Sequence, residues 1–310
     1  MPATNLLQGK TAIITGGTTG IGRAIALEYL RQGCNVVVNH LGLDRDRQHL
    51  DTLVAEAEAL KSSNPSSTSS SNPESHTATT TTGTIATPAP AGATIGTLDH
   101  LAGDVSDPAT GPALVSRAVA RFGRLDICVS NAGICQFAEF LTLSGDLWSQ
   151  TVRTNLDGAF YVVQAAARQM ASQEPVTTSL PWGGSSGRQH RGSIIGVSSI
   201  SALVGGGRQT HYTPTKAGVL SLMQSCAVAL GEHGIRCNAL LPGTIRTQLN
   251  DEDLADTDKR NYMEGRIPLG RTGDARDMAG PAVFLASDEL SGYVTGAQLL
   301  VDGGLFVNLQ

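Results

Sequence analysis

Tyr212 and Lys216 stand four residues apart in the stretch HYTPTK. At i and i+4 two side chains share one face of a helix. A phenol on its own titrates near pH ~10, too high for a base at neutral pH. A neighbouring ammonium favours the phenolate, so Lys216 is expected to lower the Tyr212 pKa. Ser199 follows an apolar run, Ser193 to Val197, that reads as a strand, which places its hydroxyl at a strand end facing the pair. Phenol, ammonium and hydroxyl together can move a proton to or from an alcohol oxygen. The hydride that accompanies that proton needs an acceptor elsewhere in the chain.

The acceptor's place is marked near the N-terminus. Lys10 to Thr15 reads as an apolar strand, running into GGTTGIG and a helix from Gly20 to Gln32 closed by Gly33. Asn35 to Val38 is a second buried strand, so the segment is a βαβ unit and the sheet is parallel. Gly16, Gly20 and Gly22, with Thr18 and Ile21 between them, form the turn. Residues without a Cβ permit a tight bend, close approach of backbone to a phosphate and close packing of helix on strand. The helix N-terminus then offers N–H groups to a pyrophosphate. The spacing G-x-x-x-G-x-G is not the usual one, but it sits in the required strand–turn–helix context.

A dinucleotide needs contacts from further strand ends. Asn39-His40 follows the second strand, where many NAD-binders carry an acid for the ribose 2′-hydroxyl; without acid or Arg there, both NAD and NADP stay open. Asp104-Val105 after the third strand is placed to meet the adenine, and Asn131-Ala132-Gly133 after the fourth to meet the cofactor. Cys135 follows that strand and is expected to border a pocket. Ser201, Gln209 and His211 are polar candidates for a substrate lying over the nicotinamide.

The remaining elements alternate helix and strand, including a long helix from Ser144 to Met170 and another from Tyr212 to Leu230 with Pro214 in its first turn. The pattern is a single doubly wound α/β domain over residues 1–310, with about seven parallel strands and helices on both faces. Two stretches interrupt it, at about 61–93 and 172–191. Both are rich in Ser, Thr, Pro and Gly and read as disordered insertions.

Composition excludes other classes. A net charge of −5 argues against a nucleic-acid partner. No apolar run has the length of a membrane span, and the first residues lack a signal peptide's pattern. Five cysteines without a C-x-x-C pair fit a reducing, cytoplasmic setting and no metal site.

Taken together, TGxxxGIG from Thr15 to Gly22, a variant of NNAG from Ser130 to Gly133, Asn155, Ser199, YxxxK and DGG from Asp302 to Gly304 resemble the short-chain dehydrogenase/reductase family. Ser130 replaces the first Asn of that family's NNAG. The resemblance implies Ser199, Tyr212, Lys216 and Asn155 as the catalytic set, with Asn155 holding a water between Lys216 and solvent. It implies cofactor contacts from Pro242, Gly243, Ile245 and Thr247, and a homotetramer built through the helices bearing Asn155 and Tyr212. Narrower stretches, among them SSISALVGG and QTHYTPTKAG, resemble sugar-oxidising members and imply a small sugar, L-rhamnose, oxidised to its lactone with NAD or NADP. The competing readings are a glucose-type sugar dehydrogenase, an NADPH-dependent 3-oxoacyl reductase and a non-catalytic dinucleotide sensor.

Overall fold

The computed structural model describes residues 5–62, 94–179, 185–250 and 254–308. The strands in chain order are β1 (Thr11–Ile14), β2 (Asn35–His40), β3 (Leu98–Ala102), β4 (Ile127–Ser130), β5 (Val176–Ser179), β6 (Ser185–His190), β7 (Gly192–Val197), β8 (Ile235–Pro242), β9 (Ile245–Arg246), β10 (Gly273–Asp274) and β11 (Gln298–Val301). Seven of them form one sheet in the order β11-β8-β7-β4-β1-β2-β3, and every pair in it is parallel. The chain leaves β1 in one direction, through β2 and β3, then crosses back to β4 on the other side. That reversal, between β1 and β4, is where the carboxyl ends of an open sheet leave a crevice.

The helices are α1 (Gly20–Arg31), α2 (Asp44–Ser62), α3 (Thr110–Phe122), α4 (Gly145–Val152), α5 (Gly158–Ser172), α6 (Thr213–Leu230), α7 (Thr257–Arg266), α8 (Ala279–Ala286) and α9 (Asp288–Ser291). They divide the apolar residues into two cores. Ala12, Ile14, Val36 and Val38 face α1 and α8. Ile13, Val37 and Cys128 face α3, α5 and α6. Successive residues of a strand point to opposite faces, so strands covered on both sides read as unbroken apolar runs. β1, β4, β7 and β8 are buried at every residue.

Two expectations change. The helix expected over 144–170 is interrupted: α4 and α5 are joined by one wide π-helical turn, Arg153–Asp157. The stretch expected to be disordered at 172–191 contains the antiparallel ribbon β5–β6. The base of that ribbon is fastened by side chains. Gln173 Nε2 donates to the carbonyls of Leu125, at 2.5 Å, and Arg191, at 3.1 Å. Arg191 donates to the carbonyls of Gln173, at 3.1 Å, and His233, at 2.9 Å. With its ends held, a Val- and Thr-containing segment closes a ladder at little entropic cost. Residues 180–184 lie outside the described residues, as does nearly all of the stretch at 61–93, of which only the last two residues of α2 are seen.

A candidate active site at the carboxyl ends of the strands

The glycine turn is built by two backbone constraints. Gly16 and Gly20 take φ of 61° and 51°, the left-handed region that disfavours any side chain. Gly22 is excluded from carrying a Cβ by contact: the atom would strike the Gly16 carbonyl oxygen and lie 2.6 Å from Asn131 Nδ2. The turn is then tied to β4. Asn131 Nδ2 donates to the carbonyls of Thr15 and Gly16, at 2.9 and 3.2 Å. The main-chain N–H groups of Asn131 and Ala132 both donate to Thr15 Oγ1 at 2.9 Å. The result is a smooth cradle at the start of α1, where a bulky side chain would fill the space a pyrophosphate needs.

The proton-handling residues come from the end of β7 and the start of α6. Ser199 follows β7 and caps a short 3₁₀ turn, its Oγ accepting from the Ser201 N–H at 3.0 Å. That bond uses an Oγ lone pair and not the hydroxyl proton. The Ser199 hydroxyl is directed so as to favour the Tyr212 phenolate. Tyr212 precedes the first residue of α6, and Lys216 lies one turn in. Lys216 Nζ donates to the Val197 carbonyl at 3.0 Å and stands 5.5 Å from the centre of the Tyr212 ring. Ser198 Oγ holds the Lys216 carbonyl at 2.7 Å and so fastens α6 to the end of β7.

Asn155 sits in the π-helical turn and is buried. Its Oδ1 accepts from the Ile134 N–H at 2.8 Å, and its Nδ2 donates to the Ile134 carbonyl at 2.9 Å and to Thr215 Oγ1 at 3.2 Å. Asn155 therefore clamps the loop after β4 to α6. A Cβ on Gly133 would lie 3.3 Å from Asn155 Oδ1 and 3.4 Å from Lys216 Nζ, so the glycine lets all three approach.

The electrostatics correct one expectation. Burial pushes the Tyr212 phenol well above its ordinary value, with the Cys135 thiol adding to the rise and the Ser199 hydrogen bond opposing it. The lowering expected of Lys216 is not found here; desolvation of the phenolate sets the direction. The same burial brings Lys216 down to about 8, against a small opposing effect of Cys135.

These groups border one cavity of about 950 Å³. Ser199, Tyr212 and Lys216 line it, with Gly16, Gly20 and Ile21 from the glycine turn. Asn131, Ala132 and Gly133 reach it from β4, and Pro242, Gly243, Ile245 and Thr247 from the end of β8. Ser201, Gln209 and Cys135 lie on its wall, with Gln209 Nε2 at 3.4 Å from Cys135 Sγ.

Other expected contacts lie elsewhere. Thr18 is buried in the turn and lines a smaller cleft beside it. Asn39, His40, Asp104 and Val105 do not border the main cavity. Asn39 Nδ2 is turned onto the Gly103 carbonyl at 2.8 Å, and a His40 ring nitrogen meets His100 Nδ1 at 3.3 Å. Asp104 accepts from the Ser106 N–H at 2.9 Å, and Val105 is packed beneath α5 against Gly158. Their polar atoms serve the connections from β2 and β3 rather than an open wall. His211 is fully buried and off the lining, both ring nitrogens without a hydrogen-bond partner among the described residues. In the turn that leads into α6, Tyr212 borders the cavity and His211 is turned to the interior. Thr15, Ser198 and Thr215 do essential positioning and were not foreseen. Their only signal was a hydroxyl beside a residue already singled out.

Among the described residues no group of three His, Cys, Asp or Glu is placed to hold a metal ion, and no helix is long and apolar enough to cross a membrane.

Comparison with known proteins gives this geometry its lineage. A family profile described as short chain dehydrogenase matches residues 10–82, and one described as Enoyl-(Acyl carrier protein) reductase matches residues 75–306. The chain is 53% identical to L-rhamnose-1-dehydrogenase of Scheffersomyces stipitis, over 99% of this chain and 100% of that one. It is 49% identical to L-rhamnose 1-dehydrogenase (NAD(P)(+)) of a Sphingomonas species, over 98% of this chain and 99% of the relative. Among solved structures, a gluconate 5-dehydrogenase from Burkholderia cenocepacia, in complex with NADP and tartrate, aligns with a TM-score of 0.75 at 29% identity, covering 98% of each chain. The chain belongs to the short-chain dehydrogenase family.

Proposed function

We propose that this protein oxidises L-rhamnose at the anomeric carbon to its lactone, passing the hydride to NAD or NADP. The observation that carries the reading is a complete Ser199, Tyr212 and Lys216 set on one cavity wall, opposite a glycine cradle on the other. The relatives named above act on that sugar. Oxidised nicotinamide, when bound, supplies the hydride acceptor and a positive charge. Gly16, Gly20 and the N-terminus of α1 would hold the pyrophosphate, and residues at the ends of β4 and β8 would border the nicotinamide.

Tyr212 takes the proton from the anomeric hydroxyl. Burial raises its phenol, and a positive charge beside it favours the phenolate. Ser199 donates its hydroxyl proton to the reacting oxygen and steadies the charge that develops there. Lys216, held by Val197 and Ser198, keeps an ammonium near the tyrosinate. Asn155 acts through others, fixing the loop after β4 and α6 relative to each other. Ser201 and Gln209 are placed to read the sugar's hydroxyls. The working form we infer is a cytoplasmic homotetramer.

Initial rates with L-rhamnose, L-lyxose, L-mannose and D-glucose, each with NAD and with NADP, test the reading. L-rhamnose should be the best substrate. Turnover of an acetoacetyl thioester with NADPH, and none of any free sugar, would replace it with an acyl reductase.

A further inference from the structure

We propose that His40 and His100, on adjacent strands at one edge of the sheet, form a two-imidazole site for a divalent transition-metal ion. The strands set the pair. In the parallel β2–β3 register Val38 stands opposite His100 and His40 opposite Ala102. Residues two apart on a strand share a face, so both imidazoles lie on the face that carries Val38. Their rings are tilted by 43° with centroids 5.4 Å apart, and His40 Nε2 lies 3.3 Å from His100 Nδ1.

That separation decides between two readings. A protein N–H hydrogen bond ordinarily spans about 2.7–3.2 Å. Two nitrogens on one tetrahedral ion, each about 2.0–2.1 Å from it, stand roughly 3.3–3.4 Å apart. The observed distance is long for the bond and matches the shared ion. Nδ1 of His40 is buried and has no partner among the described residues, so no second hydrogen bond pins that ring.

The backbone beneath both rings is fixed. Asn39 Nδ2 donates to the Gly103 carbonyl at 2.8 Å, and the Gly103 N–H donates to the His40 carbonyl at 2.8 Å. The His100 N–H donates to Asp99 Oδ1 at 2.8 Å, and Arg117 Nε holds Asp99 Oδ2 at 2.8 Å. Asp46, near the start of α2, adds a negative charge that acts on His40, its Oδ2 taking the Leu43 N–H at 3.1 Å. β3 ends the sheet and His100 is exposed, so an ion reaches the pair from solvent. Imidazole nitrogens suit zinc, nickel and copper, whereas magnesium and calcium take oxygen ligands. Water completes the coordination around the two protein nitrogens.

The full-length protein, freed of metal with EDTA and exchanged into buffer at about pH 8, above the ordinary imidazole value near ~6.5, is titrated with zinc chloride. Calorimetry should show one ion per chain. His100→Ala and His40→Ala should each weaken binding about tenfold or more, or about 1.4 kcal/mol. His233 precedes β8, on the far side of the sheet, and His233→Ala should leave zinc binding unchanged. Magnesium chloride at the same concentrations should not bind. No zinc bound up to about 1 mM, undiminished affinity in His100→Ala, or an equal loss in His233→Ala would each overturn the proposal. His100→Gln, which keeps the bulk of the side chain, repeats the test if alanine disturbs β3, and none of these readouts depends on turnover.

Discussion

The two ends of the central sheet handle buried polar groups in opposite ways. At the amino ends, charges meet their partners. Asp288 accepts from Lys10 Nζ at 3.0 Å and Arg236 Nη2 at 3.3 Å, with His190 Nδ1 at 3.8 Å. Asp126 takes the Thr11 N–H at 2.9 Å on one oxygen and Arg124 Nε at 2.7 Å on the other. Burial alone would raise the Asp288 carboxyl, but Lys10 and Arg236, with His190, hold it below the usual carboxylate range. At the carboxyl ends, half-buried Tyr212 and buried Lys216 lie beside a cavity with no opposite charge, and both are pushed toward their neutral forms. One end pairs its charges across the strands, and the other sets its ionisable groups on a cavity wall without a counter-charge. Buried groups held away from their ordinary protonation are the mark of a site that works on something else.

The contrast can be broken most severely at Tyr212. Tyr212→Phe removes the proton acceptor and should lower kcat on the order of 10³-fold. Dinucleotide affinity and melting temperature should stay near wild type; retained turnover would end the assignment of Tyr212 as base. At the other end of the sheet Asp288→Asn should behave in reverse, leaving kcat of the folded enzyme unchanged while destabilising it by about 3 kcal/mol, read in a urea titration. The sign with pH follows from the lowered Asp288 carboxyl. A group with a depressed folded pKa contributes stability above its unfolded value near ~3.9, and the contribution is lost as pH falls through the folded value. Wild type should therefore lose stability steeply below about pH 4, and Asp288→Asn should lose less over that span.

Two smaller effects sharpen the picture within the site. Gly22→Ala brings a methyl against the Gly16 carbonyl and should weaken dinucleotide binding roughly tenfold or more, about 1.4 kcal/mol by fluorescence titration. Unchanged affinity would mean the cradle lies elsewhere. Asn155→Ala strands the Ile134 main chain and should reduce kcat by about tenfold while the KM for sugar moves less. A larger change in KM than in kcat would make Asn155 a substrate-site residue rather than a clamp.

Much of this was legible in the sequence, for stateable reasons. The glycine turn could be read because only residues without a Cβ satisfy left-handed φ and contact with a carbonyl at once. Tyr212 and Lys216 could be read because helical spacing alone puts them together. Asn155 is a weak helix former, and the π-helical turn is where the helix gives way. The ribose contacts could be read only to a strand end, because the directions of Asn39 and His40 depend on β3, which is far away in sequence. The ribbon β5–β6 was missed because its composition matches a loop, and its order comes from Gln173 and Arg191 at its base. The pKa of Tyr212 was misjudged because a sequence shows a neighbouring charge but not the depth of burial.

The π-helical turn has a further consequence for how the chain can vary in length. A wide turn amounts to one residue more than an α-helix of the same rise accommodates. Exchanging the exposed Arg153 for another residue leaves that count intact. Removing it would let Gly145–Ser172 wind as one regular helix, turning all of α4 by about 100° about its axis relative to α5. Thr151, now fully buried, would swing away from the interior, and Asn155 would lose its hold on Ile134. At Arg153 this protein can accept a different side chain but not a deletion.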